Sequence, residues 1–442
     1  MKKKILLLVV LVLGVQSWAQ TYTVTHNFTN TPDGGLPQAG LVLNNNTLYG
    51  VTAWGGTNNT GAIFKLNPNG ASYSVIKSFS PLVNYFNQYT NTDGAHPAGD
   101  LTIVGDTIYG TTSAGGHSGN GTVFRMSTNG TQFTVLKDFT NDVKGVAVEG
   151  ATPKAALILS GSTLYGTVAG IGGGVFRLNT NGSGFAIIKN IGPSGNLILS
   201  GDTLYGINSQ TVFSMKTNGL NYTTLRTFTN SPDGIDPQTG LVLSGNTLYG
   251  TTAGGGSTTF GTIFKVNTDG SGYAILADLG FFEIGTQPQS SLVLMGNTLY
   301  GNTYMGGPAA YGAVFKINTD GTGLAVVNNF VGNAGQFPVG NLASDGTTLY
   351  GTTTSAGAYN AGTVYSLNLT PMVAVITPTN SSFNVSWNAI SNHVYQLQFT
   401  TNLLSTNWQN VGISITATNS RVSTLILQGP EASRLYRVNL LR

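Results

Sequence analysis

An aromatic-glycine step returns seven times along this chain, at Tyr49-Gly50, Tyr109-Gly110, Tyr165-Gly166, Tyr205-Gly206, Tyr249-Gly250, Tyr300-Gly301 and Tyr350-Gly351. Successive tyrosines lie 60, 56, 40, 44, 51 and 50 residues apart. Self-similarity at such a period specifies a repeat architecture, in which each unit buries its apolar surface against its neighbours. Helical repeats need apolar residues at helical spacing, which these units lack, so the period is that of a propeller blade.

Each unit reads as four strands. In the fifth, strand a is Leu241 to Ser244, strand b Thr247 to Thr252, strand c Gly261 to Asn267 and strand d Gly272 to Leu279. A Gly-Asn turn joins a to b, a glycine-rich loop joins b to c, and "NTDG" or a relative joins c to d. Asn-Gly and Asp-Gly dipeptides such as Asn69-Gly70 and Asp269-Gly270 accept the positive φ of tight hairpins. The first strand, "TYTVTHNFTN" (Thr21 to Asn30), is a d-strand with no a, b or c before it. The seventh unit supplies a from Asn341, b from Thr348 to Thr353 and c from Gly362 to Leu369, then lacks d. The N-terminal strand should therefore complete the last blade and leave no open edge at the seam. The expected fold is all-β: a seven-bladed β-propeller over residues 20–370, followed by a small β-sandwich domain over 371–442.

With 40% hydrophobic residues the chain can bury a large core, although only 8% are charged. It has no Cys, so core packing and strand ladders must hold the fold. Residues 1–19 combine Lys2 to Lys4, an apolar run from Ile5 to Val15 and Ser17-Trp18-Ala19, the pattern of a cleavable signal peptide. The run is short for a membrane span; a buried N-terminal strand or an uncleaved anchor is the competing reading. Cleavage would take Lys+Arg from 19 to 16 against 16 Asp+Glu, which argues against binding to nucleic acid or anionic membranes. The expectation is an exported monomer, secreted or at the cell surface, with no transmembrane helix after cleavage.

A tyrosine present once per blade is a packing element before it is a catalyst. Both faces of a blade are covered by neighbouring blades, so Leu248 and Tyr249 fit a wedge role and Gly250 fits close backbone approach. The recurrent "GNTLYGTT…GG…GTVFKLNTDGS" resembles the repeats of the choice-of-anchor tandem repeat GloVer-containing proteins, over most of the chain after residue 20. The resemblance is weakest in unit four, "TLYGINSQTVFSM", which lacks the glycine loop. It implies an exported repeat protein with a variable C-terminal segment, and it carries no catalytic residues over. The kelch and WD patterns do not match.

The a→b and c→d turns are tight, whereas the d→a and b→c loops are long and variable, and these share one face. A rigid scaffold carries function on such loops. Trp54, Tyr85, Phe86, Tyr89, His117, Tyr304 and Tyr359 could line that face. Of these, Trp54, Tyr85, His117, Tyr304 and Tyr359 are the candidate ligand-binding residues, suited to stacking on a carbohydrate or peptide beside Asn and Gly. Packing against their own loops is the competing role. Asp-Gly-x-x-Pro precedes strand a at Asp33, Asp93 and Asp233, with Glu149 as a variant. It reads as a turn stabilised by its own side chain rather than a calcium site, since the carboxylates come singly.

No catalytic constellation is legible. His26, His96, His117 and His393 lack metal-ligand spacing, although His96 and His117 fall in adjacent loops. No carboxylate pair, P-loop, HExxH or G-x-S-x-G elbow is present, and no cofactor or metal is expected. After Leu369 the repeat signals stop. Alternating strands at Phe383 to Trp387, Val394 to Thr400, Val422 to Leu427 and Leu435 to Leu440 look like a fibronectin-III-like module, with Trp387 and Trp408 in its core. The reading is a non-enzymatic binding or surface-interaction scaffold; its competitor is a glycoside hydrolase or polysaccharide lyase using the same face.

Overall fold

The computed structural model describes residues 10–11, 21–85, 88–141, 148–192, 195–229, 232–237, 240–369, 374–378, 382–388, 394–400, 408–416, 421–427 and 435–440. Most of residues 1–20, Phe86 and His393 lie outside them. The chain divides into two compact units, Tyr22–Leu367 and a second made of Met1–Thr21 with Asn368–Arg442.

Among the described residues of the first unit, seven antiparallel sheets have four strands each, in the manner of a β-propeller. We number them 1 to 7 by their first three strands. Sheet 1 is Val42–Asn44, Thr47–Thr52, Ala62–Leu66 and Ser74–Ser78; sheet 5 is Val242–Ser244, Thr247–Thr252, Thr262–Asn267 and Ala274–Asp278. Sheet 7 is built from Gln336–Ser344, Thr348–Ser355 and Thr363–Asn368, and its fourth, outer strand is Thr21–Asn27 from the chain's start. The only helical turn among the described residues is Gly332–Ala334.

The Leu-Tyr-Gly run, Ile-Tyr-Gly in sheet 2, lies in the second strand of every sheet, and its three residues do different work. Successive residues on a strand point to opposite faces. Leu48 packs in one cluster with Tyr350 and Val364 of sheet 7, whereas Tyr49 packs in another with Leu101, Ile108 and Phe124 of sheet 2. Leu204 likewise shares a cluster with Tyr165 and Val175 of sheet 3, and Tyr205 one with Leu248 and Phe264 of sheet 5. The glycine faces a phenylalanine in the cross-strand position, as at Gly250 and Phe264. A methyl group at Gly250 would stand 2.6 Å from Phe264 Cζ and 3.0 Å from Leu241 Cδ2. The ring of "GTIFK" thus lies over the glycine, and Gly is needed there for space, not for its φ.

Sheets 6 and 7 meet through Phe330, whose ring lies 5.8 Å from Tyr22 and 5.2 Å from Tyr365. Each sheet therefore packs against the next, and sheet 1 against sheet 7.

A second set of contacts fastens neighbours together, and the Asp-Gly-x-x-Pro segment supplies it. In Gly94 the φ is +94, and a methyl group would fall 2.1 Å from Thr112 Oγ1. The residue before the proline also has left-handed φ, as in Leu36, His96, Thr152 and Phe337. That turn aims its N–H at the preceding sheet: Leu36 donates to Ala361 O, His96 to Thr60 O, Thr152 to Asn120 O and Phe337 to Tyr311 O, at 2.9 Å each. The proline then sits on the glycine that opens strand c of that preceding sheet. A methyl group at Gly61 would meet Pro97 Cδ at 2.6 Å, and one at Gly362 would meet Pro37 Cδ at 2.9 Å.

The acidic residue of the motif faces a basic side chain on strand d. Lys77 Nζ lies 2.5 Å from Asp93, Lys137 Nζ 2.6 Å from Glu149 and His26 Nε2 3.0 Å from Asp33, and Arg226 pairs with Asp233. Each of these basic side chains also stacks on an aromatic ring of the following sheet. His26 lies 3.7 Å from Tyr73, and Arg226 lies 3.8 Å from Tyr273; Lys77 is over Phe133 and Lys137 over Phe185 at 4.7 and 4.6 Å. The carboxylates accept backbone N–H groups as well, from Thr29, Ser80 and Thr140. The segment is thus more than the local turn expected of it, because it clasps one sheet to the next.

In the second unit, Ser382–Asn388 pairs with both Ala374–Pro378 and Arg421–Leu427. A separate sheet joins Val394–Thr400 to Leu435–Leu440, Gln409–Asn410 and Ile415–Thr416. Val10–Leu11, inside the apolar run from Ile5 to Val15, lies parallel to Leu435 and Tyr436. Trp387 is fully buried, 6.2 Å from the Tyr395 ring. Trp408 is half-buried.

Candidate functional site

Strands a and c begin at one end of each sheet, so the d→a and b→c loops of all repeats gather at that end. Here the structure places a cavity of about 370 Å3, lined by residues just ahead of strand a in repeats 1 to 6 and by Gly340 and Asn341 within strand a of repeat 7. The repeats share a Pro-x-x-x-Leu run there, from Pro37 to Leu41 in the first and Pro338 to Leu342 in the seventh. The residue before the leucine is Gly40, Asp100, Ala156, Asn196, Gly240, Ser291 or Asn341 in turn. Packing requires only a small residue at this position, as Gly40 and Gly240 demonstrate. The larger side chains are departures from the repeat, and they converge.

Asp100 is the centre of that convergence. Gly40 N–H donates to its Oδ1 at 2.5 Å and Asn341 Nδ2 to its Oδ2 at 2.5 Å. The Asn196 amide also bonds to it. Asn341 Oδ1 in turn accepts Ser291 N–H at 2.6 Å, and Asn196 Oδ1 accepts Ala156 N–H at 2.8 Å. One carboxylate thus links, directly or through an amide, repeats 1, 2, 3, 4, 6 and 7. Burial pushes the Asp100 carboxyl above its ordinary range, against the pull of the Gly40, Asn341 and Asn196 donors. Among the described residues lining the cavity, Asp100 is the one carboxylate and Lys154 the one cation. Gln38, Lys154 and Gln289 are exposed and form the rim.

The five residues singled out from the sequence lie on the loops around this mouth, each with its own surroundings. Trp54 is 41% exposed, and its ring lies 4.2 Å from His96, whose Nδ1 is 2.8 Å from Ala53 O. His117 is exposed and is tied to Asp138 through its ring and its backbone N–H. His96 and His117 therefore have separate partners. Tyr85 is 65% exposed on the hairpin Val83–Tyr85/Gln88–Thr90, and Tyr359 is 61% exposed in the b→c loop of sheet 7. Tyr304 is half-buried, 5.2 Å from the Phe337 ring.

The neighbourhood of Tyr304 holds an aromatic stripe that the sequence reading passed over. Phe337 also meets Tyr311 edge-on at 6.1 Å. Across the next loop, Phe281 lies 6.0 Å from Phe260 and 5.0 Å from Phe282, and Phe282 is 75% exposed. Gly307 N–H donates to Phe281 O at 2.6 Å, which joins the two groups. Phe281-Phe282 follows strand d of unit five where other repeats have Asn30-Thr31, Asn141-Asp142 or Asn230-Ser231, a departure visible on alignment. Asp100, Asn196, Ser291 and Asn341 were legible in the same way, once the Pro-x-x-x-Leu register is drawn across all seven units.

The model of a family described as Gloeobacter/Verrucomicrobia repeat matches residues 12–211 and 208–396. No curated protein matches. Among solved structures, oligogalacturonate lyase in complex with manganese is 11% identical with a TM-score of 0.50, over 80% of this chain and 94% of that one. The extracellular domain of what is described as a hybrid two-component system from B. thetaiotaomicron is 10% identical with a TM-score of 0.50, over 92% of this chain and 55% of that one. A puromycin-hydrolyzing peptidase from Mycobacterium tuberculosis is 9% identical with a TM-score of 0.48, over 83% of this chain and 61% of that one. For the first two of these, the likeness at such identities is one of fold. Among the described residues, no helix is long and apolar enough to cross a membrane.

Proposed function

Because the chain belongs to the Gloeobacter/Verrucomicrobia repeat family, we propose that it is an exported, non-enzymatic binding scaffold. On this reading residues 1–19 are a cleaved signal peptide, the repeats form one seven-bladed β-propeller over 20–370, and residues 371–442 form a fibronectin-III-like β-sandwich. The ligand is an extracellular carbohydrate or peptide, received on the face of the d→a and b→c loops. Trp54, Tyr85, His117, Tyr304 and Tyr359 contribute to that face.

The observation that carries this reading is the chemistry at the mouth. A glycoside hydrolase of the usual kind needs two carboxylates flanking the bond to be broken. The cavity offers one, Asp100, already engaged by three donors. Exposed aromatic rings on the loops provide flat surfaces for stacking, with rigid strands behind them.

The test is a glycan and peptide array probed with residues 20–442, with mass spectrometry of each ligand after incubation. Retention of one ligand class, unchanged in mass, is the expected result. Cleaved or eliminated product would overturn the reading in favour of a hydrolase or lyase on the same face.

A further inference from the structure

We propose that the cavity around Asp100 is a binding site for a neutral, polyhydroxylated ligand of monosaccharide size, such as the terminal sugar of a glycan. The inference rests on the reading of the chain as a binding propeller and names its ligand class.

The first argument is unspent hydrogen-bonding capacity. A primary amide has two N–H donors and an acceptor oxygen. Asn196 and Asn341 each give their oxygen to a backbone N–H and one donor to Asp100. Each amide keeps one further N–H. Ser291 lines the cavity, and its Oγ is buried with no partner in the protein. Buried polar atoms are nearly always satisfied, so such a hydroxyl at a cavity wall marks the place of something that bonds to it.

The second argument is charge. A cation entering next to Asp100 would meet the N–H groups of Gly40, Asn196 and Asn341, all aimed at the same carboxylate. An anion would meet the carboxylate itself. A hydroxyl can donate to a carboxylate oxygen and accept from an amide, and it brings no charge to desolvate. Several hydroxyls on one small frame would answer Asp100, Asn196, Ser291 and Asn341 together, with Gln38 and Gln289 at the rim. The volume, about 370 Å3, falls within the roughly 300–1,000 Å3 of small-molecule sites.

Titration calorimetry on residues 20–442 with D-glucose, D-galactose, D-mannose and N-acetyl-D-glucosamine tests the proposal, with D-galacturonic acid as the charged control. At least one neutral sugar should bind at one site per chain. Ser291→Ala removes only an unpartnered hydroxyl, so it should leave the melting temperature unchanged and weaken binding about five- to tenfold, the effect of one lost hydrogen bond. Gln289→Ala should do the same, whereas Leu220→Ala, in the exposed c→d turn of sheet 4 at the opposite end, should bind like wild type. The proposal is overturned if no neutral sugar binds, if galacturonic acid binds in preference, or if Ser291→Ala has no effect. Binding lost in Phe282→Ala but kept in Ser291→Ala would also overturn it and leave the loop-face reading standing. Conversion of a sugar would overturn the binding reading itself.

Discussion

Gly250 and its counterparts illustrate how one atom decides a residue. The φ there is ordinary, so any L-residue could adopt the backbone; what excludes a side chain is Phe264 from the facing strand. Gly250→Ala should destabilise the protein by about 1–3 kcal/mol, as overpacking of a dense core does, measured by urea unfolding. A cost near zero would mean that the ring is free to swing aside. The adjacent Leu and Tyr were legible as buried because strand neighbours in a blade both face other blades. The phenylalanine was not, because "GTIFK" is an unremarkable apolar strand until the register brings Phe opposite Gly. Asp100 was hidden for a related reason. Its acidity stands out only when seven equivalent positions are compared, and loops of different length obscure that alignment.

At the scale of elements, many strand limits were legible to within a residue or two, although the first strand of sheet 7 begins at Gln336 rather than Asn341 and the N-terminal strand ends at Asn27 rather than Asn30. Thr247–Thr252 and Val394–Thr400 coincide with their expected bounds, since alternating apolar residues and Gly/Asn turns punctuate them clearly. The contacts between sheets were not, because each half of a clasp looks complete by itself. Asp-Gly-x-x-Pro passes for a local turn, and Lys137 for an exposed strand residue, until the fold sets Glu149 and Phe185 on either side of it. These clasps make an acid prediction. Burial raises the Glu149 carboxyl, but Lys137 and Thr140 outweigh it, and the folded value lies below the ordinary one. Asp33 is depressed in the same sense: burial opposes, while His26, Tyr73 and the Thr29 N–H prevail. A depressed acid contributes stability that is complete above its unfolded pKa and is lost as pH falls through the folded value. Glu149→Gln should therefore be less stable than wild type at about pH 7, by a margin that shrinks as pH falls below the ordinary glutamate range; a margin that does not shrink in acid would show that charge is not its source. Asp100 works with the opposite sign, since its raised pKa means that its ionised form opposes folding at neutral pH.

The strand Thr21–Asn27 belongs both to this scale and the next, because it is the outer strand of a sheet whose other members lie more than 300 residues away. Phe28 N–H donates to Gly362 O at 3.1 Å, and Phe28 is fully buried between sheets 7 and 1. Removing residues 21–27 should lower the melting temperature of the whole repeat unit in one cooperative transition. A variant melting like wild type would show that the ring holds without this closure.

For the whole molecule, repetition and departure divide the labour. Residues that recur in every unit lie between sheets, where a change is felt as stability. Residues that break the pattern, Asp100 and Ser291 in the channel and Trp54, Phe282 and Tyr304 on the loops, gather at one end, where a change should be felt as binding. The most direct test measures melting temperature and carbohydrate binding side by side for Tyr249→Ala, Ser291→Ala and the wild type. Tyr249→Ala should lose about 3–5 kcal/mol of stability, the cost of truncating a buried aromatic, and still bind while it remains folded; Ser291→Ala should keep its melting temperature and lose affinity. The reverse pattern, with Tyr249→Ala stable but unable to bind and Ser291→Ala binding normally, would contradict the account.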